Sequence, residues 1–125
     1  MTKKLELPTG EKSIELTVND ENWCSVTFHH GIADELGADT KEIVIQRFLS
    51  ILEPSNFPEN THQLEGHKYT CFVMLFEKHA SGYARLTDKG VKLHFRNSQG
   101  NRIDDIDLSY DDCKRWKKLL VDFRN

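Results

Sequence analysis

The sequence predicts a small α+β domain: an antiparallel sheet of about six strands with two helices packed on it, in the order ββ-α-ββββ-α. Three observations carry this expectation. Val91, Leu93 and Phe95 alternate with Lys92, His94 and Arg96, the period of a strand with one buried face. Ile14, Leu16 and Val18 alternate in the same way, and so do Cys24, Val26 and Phe28. The C-terminal stretch places Cys113, Trp116, Leu119, Leu120 and Phe123 at helical spacing on one side.

The first two strands, residues 12–18 and 23–30, are joined by Asp20-Glu21-Asn22. This loop length sets Val18 opposite Cys24, Leu16 opposite Val26 and Ile14 opposite Phe28, so the apolar side chains share a face. Asn22 tolerates the positive φ that the last loop position needs. The opposite face carries Glu15, Thr17, Trp23, Ser25, Thr27 and His29, and Trp23 is the one large aromatic expected to be partly exposed. Gly31 to Ala38 reads as a turn or a single helical turn ended by Gly37. Asp39 then caps a helix with Glu42 in the capping-box position. Ile43, Val44, Ile45, Phe48, Leu49, Ile51 and Leu52 make that helix apolar nearly all round, and Pro54 stops it. A helix of this kind is packed deeply or shared with a second copy of the chain.

Residues 54–67 read as an irregular loop with a short strand at Gln63 to Glu65. Tyr69 to Glu77 is apolar at nearly every position, which predicts a central strand covered on both faces. Gly82 to Thr87 forms the next strand, and Asp88-Lys89-Gly90 turns into Val91. Either Ala84 and Leu86 or Tyr83 and Arg85 enter the core, depending on the register of that turn. After the loop Asn97-Ser98-Gln99-Gly100, Phe95 falls opposite Ile103. Ile106 and Leu108 then have the wrong parity, so a β-bulge is expected at Asp104 or Asp105. Ser109 caps the last helix with Asp112 three residues on, and Asp111 and Asp112 favour its positive end. Trp116 is expected to pack inward.

A chain of 125 residues fits one domain spanning residues 1–125, and no Pro-, Gly- or Ser-rich linker divides it. The N-terminal residues have no apolar run of the signal-peptide kind, and the longest apolar stretch, Tyr69 to Phe76, is too short to span a bilayer. Three widely separated cysteines, Cys24, Cys71 and Cys113, suit neither a disulfide framework nor a zinc site. These features point to a cytoplasmic protein. Residues 1–62 carry five Lys/Arg against eleven Asp/Glu, whereas residues 63–125 carry twelve against nine. That asymmetry disfavours wholesale binding of a phosphate backbone and leaves room for a modest basic surface on the second half.

Residues that could carry chemistry are few. The six histidines, His29, His30, His62, His67, His79 and His94, lack a recognised ligand spacing. A metal site would have to join His29 or His30 with Glu77 and His79, yet His29 and His30 point to opposite faces of one strand. Neither a metal nor a cofactor is expected. Asp104, Asp105, Asp107, Asp111 and Asp112 lack the spacing of a calcium loop, and guarding a strand edge and starting a helix account for them. No activated Ser or Cys motif and no phosphate-cradling loop is present, so the chain is not expected to be an enzyme. The binding candidates are Trp23 and His29 on the first strand pair, and Tyr83, Arg85, Lys92, His94 and Arg96 on a basic and aromatic face, with Lys68 and Lys78 as additions. The expected function is that of a small protein-interaction or regulatory module acting by surface complementarity on an unidentified protein or, as a homodimer, on itself. The alternative is single-stranded nucleic acid or an anionic small ligand held on the basic and aromatic sheet face, although the charge balance does not favour nucleic acid.

Overall fold

The computed structural model describes residues 2–53, 61–64, 67–70, 73–76 and 80–125, the three middle segments by their backbone alone. The chain is α+β with antiparallel sheets and two helices, but its strands form two separate four-stranded sheets and a two-stranded ribbon rather than one sheet. The N-terminal sheet is a meander of β1 (Lys3–Thr9), β2 (Lys12–Val18), β3 (Trp23–His29) and β4 (Ala33–Thr40), in that order. Helix α1 (Lys41–Ile51) follows without a linker. The ribbon pairs β5 (Thr61–Leu64) with β6 (His67–Thr70). The C-terminal sheet is a second meander, β7 (Val73–Phe76), β8 (Ala80–Leu86), β9 (Gly90–Asn97) and β10 (Arg102–Ser109), and α2 (Tyr110–Arg124) follows it directly. Each half therefore runs from a four-stranded meander straight into a helix, although the sequence carries no repeat.

The β2–β3 hairpin has the expected register, with Val18, Leu16 and Ile14 opposite Cys24, Val26 and Phe28. Asn22 holds φ 58°, the left-handed conformation its amide side chain tolerates. All six apolar side chains are buried on one face. Burying a side chain of this size stabilises by roughly 1.5–3 kcal/mol, so a one-residue slip that exposed the set would be prohibitive.

Four expectations are corrected. Residues 33–40 form strand β4 instead of a turn: Leu36 is the extra residue of a bulge between Val26↔Gly37 and Thr27↔Glu35, and it drops fully into the core. The cap of α1 is Thr40, whose hydroxyl accepts from the Ile43 N–H at 3.4 Å; Asp39 is still in the strand opposite Cys24 and pairs with Arg47 at 3.3 Å. The apolar 69–77 stretch contributes to two strands, β6 and β7, and β7 ends its sheet rather than lying at its centre. The bulge in β10 is real but falls at Ile103: Arg102 pairs with Arg96 and Asp104 with Phe95, leaving Ile103 as the extra residue against the core. From there Ile106 and Leu108 regain the inner face opposite Leu93 and Val91, as the parity argument requires. Strand β8 starts at Ala80, and its turn resolves the open register in favour of Ala84, which is buried, with Tyr83 and Arg85 on the outer side. Of the 54–67 loop, Thr61–Leu64 is β5; residues 54–60 and 65–66 lie outside the described residues.

The inner faces of the two sheets meet at Phe28 and Phe95, whose rings lie 5.0 Å apart. At the sides, β1 runs near β10 and β4 near β7 and β8. Helix α1 packs on β3 and β4 through Val44, Ile45, Phe48 and Ile51, and it also meets α2. Helix α2 packs on β1, β9 and β10. Its start is the capping box expected: the Asp112 N–H donates to Ser109 Oγ and the Ser109 N–H to the Asp112 carboxylate, both at 3.1 Å. Trp116 is fully buried, and its indole N–H donates to the Pro8 carbonyl at 2.7 Å. Pro8 suits its edge strand because it has no N–H to leave unpaired there.

Gly90 opens β9 where that strand passes Ser109 and the start of α2. A Cβ at Gly90 would stand 1.9 Å from the Leu108 carbonyl oxygen, and the backbone on both sides is fixed by strand pairing. Gly90→Ala should therefore cost about 3 kcal/mol or more, as overpacking against rigid backbone does. Urea unfolding checks this, and a cost below about 1 kcal/mol would mean that the β9–β10 register is not the one described.

Candidate functional site

The seven binding candidates fall on two different outer faces. On the N-terminal sheet, alternation turns Trp23, Ser25, Thr27 and His29 away from the core, with Glu15 and Thr17 beside them on β2. Trp23 is 41% exposed, as expected, but it is not the one exposed large aromatic: Tyr110, at the start of α2, is 48% exposed. Trp23 stands opposite Thr40, and Thr40 in turn caps the first turn of α1, where Ile43 is 39% exposed. An aromatic and an aliphatic side chain thus flank one residue at the strand-to-helix corner. His29, at the far end of β3, lies 3.7 Å from Glu15.

The other five candidates are brought together on the C-terminal sheet. Cross-strand pairing makes three rows: Ser81, Arg96 and Arg102; Tyr83, His94 and Asp105; Arg85, Lys92 and Asp107. The Arg96 guanidinium lies 6.0 Å from the centre of the Tyr83 ring. His94 Nδ1 is 3.1 Å from Asp105, and Asp105 also accepts from Arg102 at 3.1 Å. Lys92 approaches Asp107 at 3.9 Å. The acidic residues of β10 therefore partly neutralise the basic rows. Lys68 belongs to β6, where only the backbone is described, and Lys78 lies outside the described residues.

Burial pushes the His94 imidazole below its ordinary value, and the nearby Arg85 and Lys92 add to this; Asp105 opposes without reversing it. The neutral ring is thus the form the fold prefers.

A cluster that no spacing in the sequence signals forms where the two sheets meet. His30 turns inward, stacks on Phe28 with ring centres 4.5 Å apart, and is held by Asp34 of β4 at 2.5 Å and Asp104 of β10 at 3.5 Å. Lys12 of β2 completes it, 3.2 Å from Asp104 and donating to the Asp105 carbonyl at 2.8 Å. The Ile103 bulge sets the direction of Asp104, and the parity break in the sequence was its only signal. Burial alone would raise the Asp104 carboxyl; the Asp105 N–H it accepts and the Lys12 ammonium outweigh burial and hold it below the ordinary carboxylate value. Both nitrogens of His30 face carboxylates, so the cluster ties the two sheets together.

The acidic run disperses accordingly: Asp104 and Asp105 enter ion pairs, Asp112 caps α2 and pairs with Arg115 at 3.0 Å, and Asp107 and Asp111 are exposed. Among the described residues no group of three or more His, Cys, Asp or Glu converges as metal ligands. His79 and Glu77, the other members of the metal set considered above, lie outside the described residues. Cys24 and Cys113 are buried, and burial pushes both thiols up to about 11, so they are protonated at neutral pH and poor nucleophiles. No described helix is long and apolar enough to cross a membrane.

Comparison with protein-family models gives no match, and comparison with curated proteins gives none either. The site must be read from its own geometry.

His94 supplies a direct check of that geometry. Because its folded value is depressed, its contribution to stability is complete above its unfolded value near 6.5 and is lost as pH falls through the lower folded midpoint. The expected NMR titration midpoint of His94 is below 6.5, and His94→Gln should flatten the stability loss that sets in as pH falls below 6.5. A midpoint at or above the ordinary value would show that Asp105 outweighs burial.

Proposed function

We propose that this chain is a binding module without catalysis of its own, which engages a basic protein surface through the outer face of its N-terminal sheet. The observation that carries this reading is Trp23: a large aromatic left 41% exposed on a face otherwise made of Ser, Thr, Glu and His. Ile43 adds a second exposed apolar side chain next to Thr40, across from Trp23. An exposed Trp in a polar surround is the composition of a contact hot spot. Charge complementarity supports the nature of the partner. The segment that builds the N-terminal sheet and α1, residues 3–53, carries five Lys/Arg and ten Asp/Glu, while residues 80–125 carry ten and seven. Folding thereby separates an acidic half from a basic half, and an acidic surface steers association with a basic partner.

A cytoplasmic setting suits the protonated, unpaired thiols of Cys24 and Cys113. Self-association through the same corner is the competing form of the proposal, and light scattering separates the two.

Affinity capture from a lysate of the source cells should return a stoichiometric protein of basic isoelectric point. Trp23→Ala should weaken that complex by about thirtyfold, the ~2 kcal/mol expected of a Trp anchor, without changing thermal stability by more than about 1 kcal/mol. No stoichiometric partner together with monomeric light scattering, or a partner retained equally by Trp23→Ala, would end the reading.

A further inference from the structure

Below Trp23, the outer face of the N-terminal sheet carries a row of like charges. Cross-strand pairing sets Glu6 of β1 opposite Glu15 of β2, Glu15 opposite Thr27 of β3, and Thr27 opposite Glu35 of β4. Three carboxylates thus share one row that crosses all four strands. Alternation turns the first three residues outward, because each lies between inward ones: Leu5 and Leu7, Ile14 and Leu16, Val26 and Phe28. Glu35 joins them only through the bulge at Leu36. Without that extra residue Leu36 would face outward and Glu35 inward, so the bulge re-aims the carboxylate into the row.

Like charges directly opposite each other on a sheet are destabilising, and the chain does little to relieve these. Glu15 has His29 at 3.7 Å and accepts from the Thr17 hydroxyl at 3.5 Å. Among the described residues neither Glu6 nor Glu35, both exposed, has an ion-pair partner. Lys4, the lysine of this face, stands in the next row opposite Thr17 and pairs with none of the three. The side chains around the row are short, Ser13, Ser25, Ala33 and Ala38 among them, so the carboxylates stand on a flat floor that a rigid element can approach.

The spacing of the row selects the shape of that element. Neighbouring strands lie about 4.8 Å apart, so the four row positions span about 14 Å. A helix presents residues i, i+3, i+7 and i+10 on one face over about 15 Å. An extended strand presents every second residue, at steps of about 6.7 Å, and falls out of step with the row. We propose that the basic partner docks here with a helix laid across the strands, one face of which carries Arg or Lys at the i, i+3, i+7, i+10 spacing. This rests on the binding reading above and adds which feature of the partner the face recognises. Trp23 lies four residues along β3 from Thr27, about 13 Å from the row, so the aromatic anchor and the charged row are separate contacts.

The test is an NMR titration of the full chain with an alanine-based helical peptide bearing arginines at i, i+3, i+7 and i+10, at about 20 mM salt so that screening is weak. A second peptide of the same composition spreads its arginines around the helix. The expected result is a saturable shift of the Glu6, Glu15, Thr27 and Glu35 amides with the first peptide, and binding weaker by about fivefold or more with the second. Replacing Glu6 and Glu35 together by Gln should weaken the first peptide by about tenfold. The urea midpoint of Glu6→Gln should equal or exceed that of the parent, because the substitution removes a repulsion and not a contact. No saturable shift up to about 2 mM, equal binding of the two peptides, equal binding by the double variant, a lowered urea midpoint in Glu6→Gln, or calcium shifting these amides where the peptide does not would each overturn the assignment. The peptide carries no side chain for the Trp23 corner. The row can therefore fail while Trp23→Ala still releases the partner, and the partner can prove indifferent to Trp23 while the row still binds the peptide.

Discussion

Much of this fold hangs on one side chain, Trp116. It is fully buried in α2, a helix that touches β1 of one sheet and β9 and β10 of the other, and its indole N–H reaches the Pro8 carbonyl at 2.7 Å. Burying an indole is favourable only when the N–H finds an acceptor. The acceptor here belongs to an edge strand more than a hundred residues away in sequence, so satisfying the indole brings the first strand of the chain to its last helix. Arg115 donates to the same carbonyl at 3.2 Å. Edge strand β1 is thereby covered at its Pro8 end, one of the ways proteins prevent an open edge from pairing with another chain.

The rest of the architecture follows from two meanders that each need a lid. A four-stranded antiparallel meander has one apolar face and cannot bury it alone. Each half supplies its own helix, started by a hydroxyl cap on the residue where the strand ends, Thr40 in one and Ser109 in the other. The inner faces then join through Phe28 and Phe95, and the seam beside them is closed by polar contacts: His30 between Asp34 and Asp104, and Lys12 on Asp104. The charge asymmetry of the sequence becomes spatial in the process. Two outer faces remain, one with the exposed Trp23 on the acidic half, the other with Arg85 over a cleft on the basic half.

Some of this was legible before any coordinates. Where turn chemistry and side-chain parity act locally, as in the 18–24 and 97–101 loops, the register follows from steric rules that involve only neighbours, and Asn22 and Gly100 adopt the positive φ their positions demand. The inward Trp116 and the exposed Trp23 follow from the same periodicity. The missed strands are those whose residues have weak preferences of their own. Residues 33–40 contain Gly37, two aspartates and a glutamate, poor strand formers that pair only because β3 offers a complete ladder. Lys3 to Thr9 carries a proline and few apolar residues, and it becomes a strand by pairing along β2 under α2. The single sheet expected from the element count divides because each meander folds back on its own helix.

For the candidate site the division is similar. The sequence by itself determined that Tyr83, Arg85, Lys92, His94 and Arg96 have alternating parity, that Trp23 points away from the core, and that no nucleophile motif is present. Only the tertiary structure decided which of these meet. It separated Trp23 and His29 from the other five by assigning them to another sheet, placed Asp105 against His94, and set Arg85 beside Lys92. The physical reason is that parity is a property of a strand, whereas charge pairing depends on which strands lie side by side and on the bulge at Ile103, and both are settled by long-range packing.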